Sequence, residues 1–291
     1  MDSVSVEIVP PTGTPSTEAA PRELVIQPRL GWIAVDWREL WESREILFFL
    51  VLRDVKVRYK QTVLGVLWAA LQPLLTMVIF TIIFGRFAKI PSEGLPYAVF
   101  VFAGLLPWTF FSNAVSQASQ SLVNQQALLT KIYLPRLFVP GAAIGGGLID
   151  LGISGVVFLC IMLFYGVMPG WGFLAVPPLV VLTAAAALGA GLSLAALTVT
   201  YRDFRYVVPF MIQSWMYVSP VIYPVSVVPA KWQWLLALNP MAGIIDAFRS
   251  ALLGLPWNFT TLAVSTASAV VFLTYGLFYF RKAERRFADI A

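Results

Sequence analysis

Long uncharged apolar runs alternate with short polar or charged segments along most of this chain. The first run, residues 62–84, contains no charged residue. As a helix rising about 1.5 Å per residue it would be roughly 35 Å long, enough to cross a bilayer core of about 30 Å. A basic segment precedes it, so the pattern predicts a membrane crossing with a defined direction.

The same pattern predicts six transmembrane helices, at about 62–85, 97–119, 137–167, 173–200, 207–223 and 260–280. Gln72-Pro73 lies inside the first span and is expected to weaken its backbone hydrogen bonding. The segment 230–254 is apolar in two pieces, each too short to cross, and it is interrupted at Asn239-Pro240. This favours two short re-entrant helices that dip into the membrane and return.

The first sixty residues divide into two parts. Residues 1–30 are rich in Pro, Thr, Ser and Glu and lack the apolar core of a signal peptide, which predicts a disordered tail. Residues 31–61 place tryptophans beside charged residues, which favours an amphipathic helix in the membrane interface, ending in a basic segment. An ordinary solvated amphipathic helix is the alternative.

The second span is polar at its carboxyl end, where residues 112–126 are uncharged but rich in amides and hydroxyls. A lipid-facing helix would not carry so many amides, so this part is predicted to line a wet interior. The span also carries aromatic rings, each of which either lines this interior or packs against lipid or neighbouring helices. The predicted channel residues are Tyr97, Phe100, Trp108, Phe111, Asn113, Gln117 and Gln120.

Asp150 is the only acidic residue inside a predicted span. An intramembrane carboxylate is a functional hypothesis in itself, and a hydrogen-bonded structural role is equally open.

Composition confirms the membrane class and excludes several chemistries. Of 291 residues 59% are hydrophobic and 12% charged, against about 25% charged in soluble domains. Histidine is absent and Cys160 is the only cysteine, which excludes a His/Cys metal site, a Cys–His pair and an internal disulfide. No phosphate-binding glycine loop or catalytic dyad is visible. We therefore expect no catalytic residue, metal or cofactor in this chain.

The net charge of +5 is explained by membrane orientation. With six spans, 16 of the 20 Lys and Arg residues fall on the side of the two termini and 4 on the other. The positive-inside rule then predicts that both termini, including the basic tail 282–291, are cytoplasmic. No nucleic-acid partner is needed to explain these cations.

Three stretches carry a resemblance to a known family. They are RDVKVRYKQTVLGVLWAALQPL (53–74), YRDFRYVVPFMIQSWMYVSPVIYP (201–224) and LNPMAGIIDAFRSALLG (238–254). Together they resemble the membrane subunit of type-2 ABC exporters, in the branch that exports O-antigen, capsule and teichoic acid. The resemblance covers roughly residues 37–288.

The resemblance implies a homodimer in a bacterial inner membrane, paired with two copies of a separate ABC ATPase that binds ATP and Mg²⁺. The substrate would be a polysaccharide on an undecaprenyl-diphosphate-type lipid, moving outward through a channel at the dimer interface. Segments 36–48 and 121–134 would contact the ATPase, and segment 230–253 would form an external gate. The implied coupling residues are Glu39, Glu42, Gln125, Gln126 and Lys131, and the implied gate residues are Trp232, Trp234, Asn239, Asp246 and Arg249.

The basic segment before the first span allows two interpretations. Cations near an anionic leaflet each contribute about 1 kcal/mol, so simple membrane anchoring is sufficient. The sharper hypothesis is that Arg53, Arg58 and Lys60 meet the diphosphate of the lipid carrier. Asp246 and Arg249, three residues apart, can pair on one helix face.

Three alternative functions are weaker. A type-2 ABC subunit for a smaller lipid or drug is the nearest alternative. An intramembrane sugar transferase predicts a cluster of carboxylates or histidines, which is not seen. A non-transporting membrane scaffold does not explain the polar second span.

Overall fold

The structure is a computed structural model that describes residues 41–60, 65–126, 134–168 and 170–290. Every regular element in these ranges is helical, which confirms the predicted all-α class. The predicted tail, 1–30, and the first part of the predicted interfacial helix lie outside these ranges. The α-helices are α1 Arg44–Lys60, α2 Gly65–Phe80, α3 Tyr97–Asn124, α4 Phe138–Phe164, α5 Val176–Thr200, α6 Phe204–Val218, α7 Ala230–Ala237, α8 Pro240–Leu253 and α9 Phe259–Ile290.

Five helical stretches within the described ranges are long and apolar enough to cross a membrane. They are Leu67–Phe87, Tyr97–Asn124, Phe138–Phe164, Trp171–Thr200 and Phe259–Glu284. The first continues α2 through Pro73 and into a π-helical segment, Thr81–Phe87. α7 and α8 meet at an angle of 103°, so the pair is either a broken sixth crossing or a re-entrant loop. Re-entry stays a prediction.

The predicted fifth span is shorter than expected. Predicted at 207–223, it corresponds to α6, which has only 15 residues and a length of about 22 Å. The helix ends because Ser219 adopts an extended backbone ahead of Pro220, and a residue before proline is disfavoured in the α conformation. α6 is therefore too short to cross a bilayer core on its own.

The second span, α3, is the central helix of the bundle. Its apolar stretch is 83% buried inside the chain, against 17% for the first span and 22% for the last. α3 is continuous over 28 residues, so the start of the predicted coupling helix at 121–134 belongs to this span. The remainder of that predicted helix, 127–133, lies outside the described residues.

Two apolar clusters hold the bundle together. The larger one surrounds α3, where the Phe102 ring stacks on Phe158 with centroids 5.5 Å apart. The smaller one joins Leu50, Leu122, Phe138 and Phe280, and so brings α1 together with one end of α3, α4 and α9. We call this the basic end of the bundle, because the basic segment of α1 belongs to it.

α5 and α9 cross at two glycines that pack backbone against backbone. A Cβ built on Gly276 would lie 2.2 Å from the carbonyl oxygen of Gly189, and one built on Gly189 would lie 2.4 Å from the carbonyl carbon of Phe272. Real side chains do not approach this closely, so only glycine fits at either position. Such contacts compensate for the weak hydrophobic drive between helices in lipid.

We expect Gly276→Val to lower the free energy of unfolding by at least about 2 kcal/mol, because the new side chain must force the two backbones apart. Thermal unfolding of the detergent-solubilised protein measures the change. Gly152→Val is the matched control, since a Cβ at Gly152 meets no atom within 4 Å. Equal thermal midpoints for the two variants would contradict the close crossing.

Candidate functional site

A cavity of about 480 Å³, lined by both apolar and polar side chains, opens between α1, α2, α3 and α4. It unites residues that the sequence assigned to different roles, since Arg58 was predicted to meet a lipid headgroup and Asn113 and Gln117 to line a channel. Asp150, whose role the sequence left open, lies in the same wall. The lining residues that matter chemically are Arg58, Tyr59, Trp68, Gln72, Asn113, Gln117 and Asp150.

A hydrogen-bonded ion pair ties α1 to the bundle at this cavity. The guanidinium of Arg58 donates to Asp150 Oδ2 and to Gln117 Oε1, and the hydroxyl of Tyr59 donates to Asp150 Oδ1. The Arg58 and Asp150 side chains are 29% and 20% exposed. Burial and the bond to the carboxylate raise the pKa of Tyr59 to about 12, so the phenol stays protonated and donates. Arg58 therefore already holds a carboxylate, which competes with any diphosphate.

The four aromatic members of the predicted channel are buried in the core of the chain. The side chain of Phe111 packs edge-on against Trp215 at 5.1 Å between centroids. Because α3 is the central helix, the four rings have at most 9% of their surface exposed and offer no face to a passing ligand. They belong to Tyr97, Phe100, Trp108 and Phe111. The amide members of the set keep partly exposed side chains: Asn113, Gln117 and Gln120.

A different aromatic and polar strip lies exposed on α6. Its members are Tyr206, Phe210, Gln213, Ser214 and Tyr217. Their positions recur every three or four residues, which puts them on one helix face. A helix surrounded only by lipid would not carry an amide there. The sequence prediction missed this strip, although helical periodicity along 206–217 would have indicated it.

The outer face of α1 forms a groove of about 450 Å³ lined by basic and apolar side chains. Its walls are Phe49, Leu52, Arg53, Lys56, Val57 and Lys60. Lys56 and Lys60 are exposed and form no ion pair with a residue that the structure describes. Among the described residues, Lys60 is thus the one predicted headgroup residue without an ion-pair or side-chain partner, and Lys56 shares this property.

Arg53, predicted to meet the lipid headgroup, links α1 to Gln125, which belongs to the segment 121–134 that was predicted to contact an ATPase. Its guanidinium donates to Asp54 at 2.7 Å and to Gln125 Oε1 at the end of α3, also at 2.7 Å. Glu42 and Gln126 are exposed nearby in the chain. Glu39 and Lys131 lie outside the described residues.

Arg249, predicted for an external gate, is instead a buried clamp. It is 1% exposed, and its guanidinium donates to the carbonyls of Pro220 and Val221 at 2.7 Å each, and to those of Phe100 and Tyr223 at 3.3 Å. Arg249 and Asp246 form no direct ion pair, although their spacing allows one, because backbone carbonyls occupy the guanidinium. The clamp fixes the turn that follows α6 against α3 and α8.

Asn239 connects the start of α8 to α6. Its side chain caps α8 by accepting from Met241 N at 3.0 Å, accepts from Trp215 Nε1 at 3.0 Å and donates to Ser219 Oγ at 2.8 Å. The remaining predicted gate residues differ in exposure: Asp246 is partly buried, while Trp232 and Trp234 are 51% and 62% exposed on α7. The gate role of this set stays a prediction.

Comparison with known proteins identifies relatives over most of the chain. A family model described as ABC-2 type transporter matches residues 45–253. The O-antigen export system permease protein RfbA of Myxococcus xanthus is 31% identical over 215 residues, 73% of this chain and 82% of that protein. The inner membrane transport permease YadH of Escherichia coli K12 is 29% identical, with 69% and 81% covered. The polysialic acid transport protein KpsM of Escherichia coli is 24% identical, with 70% and 80% covered.

We expect a double-mutant cycle of Arg58→Gln and Asp150→Asn to give a coupling energy of roughly 0.5–3 kcal/mol, as for other contacting pairs. Thermal unfolding in detergent measures each corner of the cycle. Lys60→Gln combined with Asp150→Asn is the control cycle and should show additive effects, because Lys60 points away from the carboxylate's network. Additivity in the Arg58 cycle would rule out the ion pair.

Proposed function

Because the chain belongs to the ABC-2 type transporter family, we propose that it is the membrane subunit of an ATP-driven exporter of a lipid-linked polysaccharide. The observation that carries this proposal is the 31% identity to an O-antigen export permease across 73% of the chain. A second relative is named for the transport of polysialic acid, which is also a polysaccharide. The carrier is an undecaprenyl-diphosphate-type lipid, and transport runs from the cytoplasm across the bacterial inner membrane.

The energy for transport comes from two copies of a separate ABC ATPase, which bind ATP and Mg²⁺. They dock at the basic end, where Glu42 and Gln126 are exposed. The hydrogen bond from Arg53 to Gln125 connects the two parts of this docking surface, because it joins α1 to the end of the central helix. A displacement of α1 by the ATPase is thereby transmitted to α3.

The polysaccharide passes between two copies of this chain. The support is the exposed strip on α6, whose Tyr206 and Phe210 are 79% and 71% exposed while Gln213 and Ser214 lie on the same face. In a homodimer, two such strips would face each other across a water-filled passage. Water would hydrogen-bond to the polar groups, and the rings would face the sugar. Lipid would solvate the rings but would leave the polar groups without hydrogen-bond partners.

Both termini lie in the cytoplasm. The described cations of the basic end include Arg53, Lys56, Lys60 and Arg136, and a cytoplasmic location of this end satisfies the positive-inside rule. One relative is also named as an inner-membrane permease.

The groove on the outer face of α1 receives the diphosphate headgroup of the carrier. Lys56 and Lys60 supply uncompensated cations beside the apolar Phe49 and Val57, which suits a ligand with an anionic head and a hydrocarbon tail. We do not assign Arg58 to this role, because its guanidinium is bonded to Asp150 and Gln117.

A smaller lipid or drug is the alternative cargo for this family. The amides of the cavity between α1, α2, α3 and α4 disfavour it, because a hydrocarbon ligand would leave Gln72 and Asn113 without hydrogen bonds.

Deletion of the gene in its own host is expected to abolish the surface polysaccharide and to retain the glycan inside the cell. A glycan immunoblot of surface and cytoplasmic fractions measures both pools. Complementation with this chain and its ATPase should restore the surface pool. A deletion strain with a normal surface glycan and altered drug resistance would instead establish the alternative cargo.

Lys56→Gln with Lys60→Gln is expected to reduce export by about tenfold or more, because two charge contacts worth about 1 kcal/mol each are lost. Export is measured by the surface glycan, with membrane insertion and ATPase co-purification measured in parallel. The matched control is Lys231→Gln, an exposed lysine on α7 far from the basic end in the chain. Unchanged export in the double variant would leave these lysines as membrane anchors only.

A further inference from the structure

The cavity between α1, α2, α3 and α4 has the size of a ligand site. Its volume of about 480 Å³ falls in the range of small-molecule pockets, roughly 300–1,000 Å³. It is separate from the strip on α6 and from the groove on the outer face of α1, and neither of those surfaces accounts for its polar lining.

The electrostatics of the cavity favour a neutral ligand. Its cation, Arg58, and its carboxylate, Asp150, are bonded to each other and cancel. A diphosphate would have to displace Asp150 from Arg58 and then lie beside a bare carboxylate. A neutral molecule enters without breaking the pair.

The hydrogen-bonding capacity of the cavity favours hydroxyl groups. The side-chain amides of Gln72 and Asn113 line it and bond to no residue that the structure describes. Each amide offers a carbonyl acceptor and an NH₂ donor. A sugar hydroxyl also both donates and accepts, so it matches both halves of an amide. A phosphate oxygen accepts only, and would leave the amide carbonyls facing negative charge.

An aromatic surface completes the site. Trp68 lines the cavity and keeps 53% of its surface exposed. The negative face of an indole ring attracts the partly positive C–H hydrogens of a pyranose. The site thus combines a ring face, two amides without partners among the described residues, and a neutralised ion pair. This combination recognises a polyhydroxylated ring. It suits neither a hydrocarbon nor a polyanion.

We infer that this cavity binds a neutral sugar residue of the transported chain. The inference rests on the proposed function, and it adds a sugar subsite inside each subunit to the passage between subunits. Glycan contact inside each subunit would place a sugar beside the bond between Arg58 and Asp150, where the position of α1 is fixed.

Saturation-transfer NMR with the full chain in nanodiscs tests the inference, because it detects weak ligands. The probes are the methyl glycosides of glucose, mannose, galactose, rhamnose and N-acetylglucosamine, with phosphorus line broadening of inorganic pyrophosphate for comparison. We expect saturation transfer to at least one glycoside. Trp68→Ala and Gln72→Ala should each weaken its binding about five- to tenfold, since a stacked ring or a hydrogen bond is worth about 1 kcal/mol.

Leu67→Ala is the matched control: Leu67 is 58% exposed beside Trp68 but lies outside the cavity wall, so binding should be unchanged. Gln72 is itself exposed, which keeps its variant folded. Absence of transfer to every glycoside would overturn the inference, as would transfer that neither cavity variant weakens. Pyrophosphate broadening abolished by Gln72→Ala, without glycoside binding, would also overturn it.

Failure of this inference is distinguishable from failure of the proposed function. A chain that restores export in the deletion strain but binds no glycoside lacks the sugar subsite and is still an exporter. A chain that fails to restore export with its ATPase is not the proposed exporter, whatever it binds.

Discussion

The constraint on which this structure depends is the absence of water in the bilayer core, which obliges polar groups to find partners within the protein. Arg249 meets the constraint completely, with backbone carbonyls around its guanidinium. Arg58 meets it through Asp150 and Gln117. The amides of Gln72 and Asn113 remain unpartnered within the described residues, so they mark the place where something other than protein is expected.

The helices divide into a closely packed scaffold and outer helices that keep exposed faces. α3, α5, α8 and α9 form the scaffold, with the glycine crossing of α5 and α9 and the Arg249 clamp as its closest contacts. α1, α2 and α6 lie around it with exposed faces. The three surfaces suited to ligands all involve these outer helices. A closely packed core with outer helices that keep exposed faces is the arrangement that the proposed function requires.

Much of the fold could be predicted from sequence because charge-free length and polar interruptions are local properties. The apolar runs gave the first, third, fourth and last spans closely. Amide enrichment marked Asn113 and Gln117, which line the cavity, while their channel role stays a prediction. Which aromatic rings of α3 face inward could not be predicted, since that depends on the helices packed around it. The bond of Arg249 to Phe100 joins residues 149 positions apart, and local spacing indicated Asp246 instead. The strip on α6 was predictable from periodicity alone.

α1 carries two kinds of cation on opposite faces, and this arrangement connects the outer surface to the cavity. Arg58 and Tyr59 face inward and are bonded to Asp150, while Lys56 and Lys60 face outward and form no ion pair with a described residue. Because all four side chains belong to one 17-residue helix, a rotation that brings the lysines toward a bound headgroup must strain the inward bonds. A load at the basic end acts on the same helix through Arg53 and Gln125. The proposed headgroup groove, the cavity and the proposed docking surface therefore all include residues of α1.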